Sequence, residues 1–240
     1  MQQLKLTFQT EYPTLPQDLD RLLVSFIKAS AQNYSPEFFD ALYSKDRSII
    51  KPFTFSTYLP GARFVEDRIL LGQPGFAMYF SDADLGQMIQ FFNAFRLMKM
   101  KKYPVSGNTM QLTSVMLQKR KEITDSEVIV KMSSSLIVRR HHQEDNSDQY
   151  YTFDQPEFGK ALKENVEIFV QKLGLQVPTD TFAIMPLKGK KVVARVFGRP
   201  VDASIGAYKL TGSPELLNLL YLAGLGVRRS SGHGKFEILM

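Results

Sequence analysis

The order of hydrophobic patterns along the chain constrains its fold more than any single motif. Each half has a strand pattern, a helix pattern, further strand patterns, a second helix pattern and a last strand pattern. The predicted strands are 4–8, 53–58, 68–71, 75–80, 103–105, 111–117, 128–138, 181–187, 191–197, 205–210 and 235–239. This order is typical of split βαβ units, which ferredoxin-like domains and RNA-recognition modules share. We therefore predict an α+β chain of two tandem ferredoxin-like (RNA-recognition-motif-like) βαββαβ domains, residues 1–120 and 121–240.

Turn residues predict how some of these strands are connected. Gly72-Gln-Pro-Gly75 predicts a turn that pairs strands 68–71 and 75–80. Lys188-Gly-Lys190 predicts a tight hairpin between the runs on either side of it. The polar segment 141–149 is predicted to be an exposed loop.

Composition excludes several classes of protein. The 240 residues contain no cysteine, which excludes disulfides, thiolate metal sites and a cysteine nucleophile. No apolar run reaches the ~18 residues of a membrane span, and the N-terminus lacks a secretory apolar region. We therefore expect a cytoplasmic protein with no membrane partner.

The charge distribution indicates an anionic partner. Thirty basic residues against 24 acidic ones give a net charge of +6. Between Pro186 and Pro200 the chain carries only basic charges: Lys188, Lys190, Lys191, Arg195 and Arg199. Such a cluster suits a polyphosphate partner, and a solvated hairpin tip is the alternative explanation.

Residues 224–235, which we call the glycine arc, contain two G-x-G pairs separated by five residues. A helix pattern from Ser213 precedes the arc and a strand pattern follows it, so the arc is not a strand-to-helix phosphate loop. Glycines permit positive φ and close approach of the backbone, and they leave amide N–H groups free for an anion. We predict that the arc binds phosphate; a flexible turn is the alternative.

Together with Lys51-Pro-Phe-Thr-Phe-Ser56, the glycine arc resembles the CRISPR-associated endoribonucleases that cut repeat transcripts into guide RNAs. These enzymes form the sixth Cas family of the repeat-associated (RAMP) superfamily. The resemblance implies binding of CRISPR repeat RNA (pre-crRNA and crRNA) and its cleavage without metal or cofactor. Attack by a 2′-hydroxyl would leave a 2′,3′-cyclic phosphate and a 5′-hydroxyl. Subunits of a CRISPR effector complex are further expected partners, and we expect a monomer or a homodimer.

The candidate catalytic residues come from the same resemblance. Cleavage without metal needs a base, a cation and an acid, and in this family a histidine after the first helical region commonly supplies the base. Residues 41–47, Ala-Leu-Tyr-Ser-Lys-Asp-Arg, contain no histidine. Either Tyr43, Lys45, Tyr34 and Lys28 align the phosphate and transfer the protons, or the chain binds guide RNA without cutting it. An RNA-recognition protein unrelated to CRISPR is a third interpretation.

The resemblance also implies the RNA-binding residues. In the glycine arc these are Gly224, Gly226, Arg228, Arg229, Gly232, His233, Gly234 and Lys235. In the basic cluster they are Lys188, Lys190, Lys191 and Arg195. His141 and His142 are interpreted as a solvated surface pair and the acids near them as a solvated run, so no metal site is predicted.

Overall fold

The computed structural model describes residues 1–44, 46 and 49–239. In the first half, an antiparallel sheet has the strand order β3-β6-β1-β8-β7. Its strands are β1 (Gln2–Thr10), β3 (Phe53–Tyr58), β6 (Gly75–Asp82), β7 (Lys102–Val105) and β8 (Asn108–Lys119). A small sheet beside it contains β2 (Thr14–Pro16), β4 (Arg63–Phe64) and β5 (Arg68–Leu70). The helices of this half are α1 (Leu19–Tyr34), α2 (Pro36–Tyr43) and α3 (Leu85–Met98).

Alternation of side chains along β1 explains why this sheet and its helices pack together. Leu4, Leu6 and Phe8 are buried, whereas Lys5 and Thr7 between them are half-buried on the other face. Phe8 stacks on Phe76 and meets the edge of Phe26 from α1. Each such phenylalanine contributes about 1.5–3 kcal/mol on burial, so the aromatic layer fixes α1 over the sheet.

The second half repeats the architecture. Its sheet has the order β12-β13-β9-β14, formed by β9 (Glu127–Met132), β12 (Ala183–Val196), β13 (Arg199–Thr211) and β14 (Phe236–Ile238). Helices α4 (Phe158–Lys172) and α5 (Pro214–Ala223) complete it, and β10 (Val138–His142) pairs with β11 (Ser147–Tyr151) in an inserted hairpin. Both sheets have the strand order of a ferredoxin-like domain, so the predicted fold class is confirmed. The division at residues 120 and 121 stays a prediction.

Two predicted connections are wrong. Strand β5 pairs with β2 and β4, whereas β6 pairs with β1 and β3, so the turn at Gly72–Gly75 joins two sheets. Lys188-Gly-Lys190 forms no hairpin turn, because β12 runs through it with a bulge. Gly189 is needed for close packing instead, since a Cβ there would overlap the ring of Phe153.

The segment 128–138 is not one strand, because the first strand ends at Met132 and residues 133–137 separate it from β10. Residues 141–149 are largely exposed as predicted, but only 143–146 form a turn, and the flanking residues are paired strands. His141 and His142 lie in β10 opposite Asp148 and Ser147. Within the described residues, no helix has the length and apolar character needed to cross a membrane.

Candidate nucleic-acid interface

The glycine arc lies in the seam between the two halves. Thr54 Oγ1 on β3 donates to the carbonyl oxygen of His233 at 2.9 Å. Ser81 Oγ on β6 donates to the carbonyl oxygen of Leu222, just before the arc, at 2.8 Å. Hydroxyls of the first sheet therefore hold a segment that the second half supplies.

The arc glycines serve close packing. Gly224, Gly226, Gly232 and Gly234 all have positive φ. A Cβ on Gly232 would lie 2.5 Å from the ring of Phe55, and one on Gly234 would overlap the carbonyl oxygen of Leu225. A Cβ on Gly224 or Gly232 would meet Thr54 or Phe55 of the first half, whereas a Cβ on Gly226 or Gly234 would meet backbone of the second half, so each position requires glycine for close packing.

The expectation of free amide groups in the arc is wrong for several of its residues. The N–H of Gly234 donates to Ser135 O at 2.8 Å, and the N–H of Gly224 donates to Leu220 O at 2.7 Å. The N–H of Gly232 donates to Arg229 O at 3.0 Å. Buried amides are paired within the protein because an unpaired one is costly, and these are not available to an anion.

The two arginines of the arc have different environments. Arg228 is exposed and has φ of 60°, a left-handed conformation that is strained for a residue with a side chain. The guanidinium carbon of Arg229 lies 3.6 Å from the ring centroid of Phe169, and Nη1 donates to Gly226 O. Burial lowers the pKa of Arg229 to about 9, so it keeps its charge at neutral pH. Arg228 is therefore the arginine presented to solvent.

His233 and Lys235 are buried in the seam. The Nδ1 atom of His233 lies 2.8 Å from Ser135 Oγ. Its Nε2 lies 3.2 Å from Asp20 Oδ2, an ion-pair distance without hydrogen-bond geometry. Lys235 is 1 % exposed and donates to Ser81 Oγ at 2.8 Å. Contact of either side chain with RNA would need a rearrangement of the arc, and it stays a prediction.

A second group of side chains comes from α1, from α2 and from the segment just before β3. The Nζ atoms of Lys28 and Lys51 lie 5.0 and 4.9 Å from the ring centroid of Tyr43. Burial raises the pKa of Tyr43 well above its ordinary value, so the phenol is neutral. Burial, and secondly the charge of Lys28, lowers the pKa of Lys51. We call Lys28, Tyr43 and Lys51 the Tyr43 cluster.

The structure brings together only part of the predicted catalytic set. Tyr34 packs edge to face on Phe38, with ring centroids 5.9 Å apart. Lys45 lies outside the described residues. The sequence interpretation missed Lys51 as a candidate, although it begins the Lys51–Ser56 motif. Lys51 lies over Tyr43 because of the path that the chain takes from α2 to β3, and no local sequence pattern predicts that path.

The predicted RNA-binding lysines lie on β12. Lys188 and Lys190 are exposed, whereas Lys191 forms an ion pair with Asp202 at 2.9 Å. Arg195 lines a cavity of about 200 Å³ that His233 and Ser135 also line. Among the described residues, no three His, Cys, Asp or Glu side chains cluster closely enough to hold a metal ion.

A larger cavity, of about 400 Å³, lies between the arc and α4. Lys51 lines this cavity and also lies over Tyr43, so the cavity and the Tyr43 cluster adjoin. Arg228 lines the cavity from the arc. Residues from both halves therefore line one cavity, which adjoins the Tyr43 cluster at Lys51.

Comparison with known families identifies this architecture. Residues 118–238 match the family model described as "CRISPR associated protein Cas6, C-terminal". The chain belongs to the Cas6 family. A comparison of its sequence with curated proteins gives no significant match.

Solved structures share the whole Cas6 architecture of this chain. A structure described as an RAMP protein binding different RNA substrates has a TM-score of 0.84 and 18% identity, covering 100% of both chains. The product of a Cas6-related gene from Pyrococcus furiosus has a TM-score of 0.84 and 18% identity, covering 99% of this chain and 98% of that one. A Cas6 product complex has a TM-score of 0.73 and 14% identity, covering 99% of both chains. These likenesses establish the fold.

Proposed function

We propose that this Cas6 family protein binds CRISPR repeat RNA and cuts it at the Tyr43 cluster without a metal ion. Membership of the family and the likeness to a Cas6 product complex support RNA processing. The observation that carries the cleavage proposal is the approach of Lys28 and Lys51 to one half-buried phenol ring, whose centroid lies at 5.0 and 4.9 Å from the two Nζ atoms. A neutral phenol between two amines can act on a phosphate in place of the histidine that residues 41–47 lack.

Each member of the cluster has a role that its environment favours. Burial, and secondly the charge of Lys28, lowers the pKa of Lys51, which favours Lys51 as the group that accepts the proton of the attacking 2′-hydroxyl. Lys28 supplies positive charge to the crowded phosphate. The 2′-oxygen forms a bond to phosphorus as the bond to the 5′-oxygen breaks, and Tyr43 donates its proton to that leaving oxygen. The two amines stabilise the resulting phenolate, and the products are a 2′,3′-cyclic phosphate and a 5′-hydroxyl.

A non-catalytic RNA-binding subunit is the second candidate. The absence of histidine from residues 41–47 favours it, because tyrosine and lysine are ordinarily weak bases at neutral pH. Effector-complex partners, a cytoplasmic location and a monomeric or dimeric state stay predictions under both candidates.

The test is incubation of the purified protein with its repeat RNA in EDTA, beside RNAs that carry one 2′-deoxy nucleotide at each position. We expect cleavage to persist in EDTA and to disappear with a single deoxy substitution. Tyr43→Phe and Lys51→Ala should each slow cleavage by about 10²–10⁴-fold, the usual contribution of acid–base groups, and Tyr43→Phe should leave RNA affinity unchanged. Tyr58→Phe, at an exposed tyrosine of β3, is the matched control. Tight binding by the unaltered protein without cleavage would favour the non-catalytic subunit.

A further inference from the structure

The 400 Å³ cavity between the arc and α4 shares Lys51 with the chemistry proposed above, and its other lining residues have no part in that chemistry. Its walls come from four separate parts of the chain. The residues that carry the inference are Ile50, Lys51, Arg139, Ile168, Lys172 and Arg228. The cavity therefore exists only when both halves and the arc are in place.

The cavity has an excess of positive charge. Within the described part of the chain, no carboxylate lies at ion-pair distance from Lys172 or Arg228. Arg139 differs, because it pairs with Asp148 at 2.8 Å. Cations that no nearby acid neutralises attract an anion.

One wall of the cavity is apolar. Ile168 is 49% exposed although it lies in a regular helix, and Ile50 contributes to the same lining. Ile168 and Lys172 are four residues apart in α4, so they share one face of the helix. An apolar surface beside a cation matches the two parts of a nucleotide, its flat base and its phosphate.

Contacts among α4, β10 and the arc hold the lining residues of the cavity in place. Asn165 Nδ2 donates to Arg139 O at 2.6 Å, which joins α4 to β10. Arg229 is stacked on Phe169 and bonded to Gly226 O, which joins α4 to the arc. Arg228 keeps a left-handed backbone conformation, with φ of 60°. A rigid lining lowers the entropic cost of binding a ligand there.

We propose that this cavity takes one unpaired nucleotide of the RNA, beside the nucleotides that are cut. The base lies on Ile168, and its phosphate lies between Lys172 and Arg228. The volume is near the lower limit of ligand sites, about 300–1,000 Å³, and so suits a single nucleotide and not a duplex. Lys51 borders both the cavity and Tyr43, which places this nucleotide next to the cut. The inference rests on the proposed function, because the ligand is part of the same RNA.

An abasic scan of the repeat RNA tests the inference by its effect on affinity. In the unaltered protein, removal of the base at one position should weaken binding by about tenfold, the effect of losing one base contact. In Ile168→Ala, removal of that base should have no further effect, while the other positions keep their sensitivity. Lys172→Ala should weaken binding and reduce its dependence on salt.

Lys160→Ala is the matched control, because Lys160 is an exposed lysine of the same helix and does not line the cavity. It should keep the full abasic profile and the same salt dependence. An Ile168→Ala protein that binds RNA with the original abasic profile would overturn the inference and leave the proposed function intact. Failure of the unaltered protein to bind repeat RNA would instead refute the proposed function.

Discussion

The Nε2 atom of His233 lies 3.2 Å from Oδ2 of Asp20, which joins the glycine arc of one half to the first helix of the other. The pair is largely buried, because the side chain of His233 is 4% exposed and that of Asp20 is 28% exposed. A double-mutant cycle with Asp20→Asn and His233→Gln, measured by urea unfolding, should give a coupling free energy of about 0.5–3 kcal/mol. Additive effects of the two substitutions would show that the seam does not depend on this contact.

Lys235 should make stability depend on pH. Burial, and secondly the charge of Arg120, holds the pKa of Lys235 well below its ordinary value in the folded protein. Between the folded pKa and the unfolded value of about 10.4, the unfolded chain binds a proton that the folded one does not, so stability rises with pH. Lys235→Met should raise the free energy of unfolding at neutral pH by about 1–3 kcal/mol and flatten this dependence.

Removal of the lysine leaves Ser81 Oγ with a hydrogen-bond partner, because it still donates to Leu222 O. Lys131→Met, at an exposed lysine of β9, should leave the pH dependence unchanged. Destabilisation by Lys235→Met at every pH would mean that the amine is needed for folding.

Glycine at position 234 should be indispensable. A Cβ there would overlap the backbone oxygen of Leu225, which has no freedom to move aside, and φ is 75°. Gly234→Ala should cost more than about 4 kcal/mol of stability. Gly107→Ala is the control, since Gly107 has a similar φ of 65° but no atom within 4 Å of the added Cβ, and it should cost only about 1–2 kcal/mol. Equal thermal denaturation of the two variants would contradict the packing argument.

The neighbouring arginines 228 and 229 should respond differently to alanine substitution. Arg228→Ala should leave stability unchanged and reduce the slope of log affinity against log salt by about 0.7, the value for one lost contact with single-stranded RNA. Arg229→Ala should lower stability instead, because it removes the stacking on Phe169 and the bond to Gly226 O. Filter binding at several salt concentrations and urea unfolding would separate the two effects. A large loss of stability in Arg228→Ala would contradict the assignment.

Local sequence patterns were sufficient to predict those elements whose bounds are set by neighbouring residues in the chain. Strand β3 has the predicted bounds, residues 53–58, because Pro52 precedes an uninterrupted run of strand-forming residues. The cap residue Ser213 marks the start of α5 as predicted. The repeated order of these elements was enough to predict the fold class.

Features that depend on tertiary contacts were not predictable in the same way. Glycine between two lysines is typical of a turn, but Gly189 lies within a strand. It is glycine there because a Cβ would overlap the ring of Phe153. The arc glycines suggested free amides, whereas in the structure several of these amides are paired and close packing against both halves requires the lack of a Cβ. Lys51 became a candidate only when the fold placed it over Tyr43. In each case the contact depends on the tertiary structure, and the periodicity of the sequence does not predict such a contact.

The position of the glycine arc in the sequence has a consequence for biosynthesis. Thr54 and Ser81 belong to strands made early, but the carbonyl groups that they bind belong to Leu222 and His233, which are made much later. The first sheet can form as it leaves the ribosome, with these hydroxyls still in water. The seam closes only after the arc has emerged, and with it the cavity that Lys51 shares with Arg228. A nascent chain therefore has no assembled site with which to capture RNA before its translation has passed the arc.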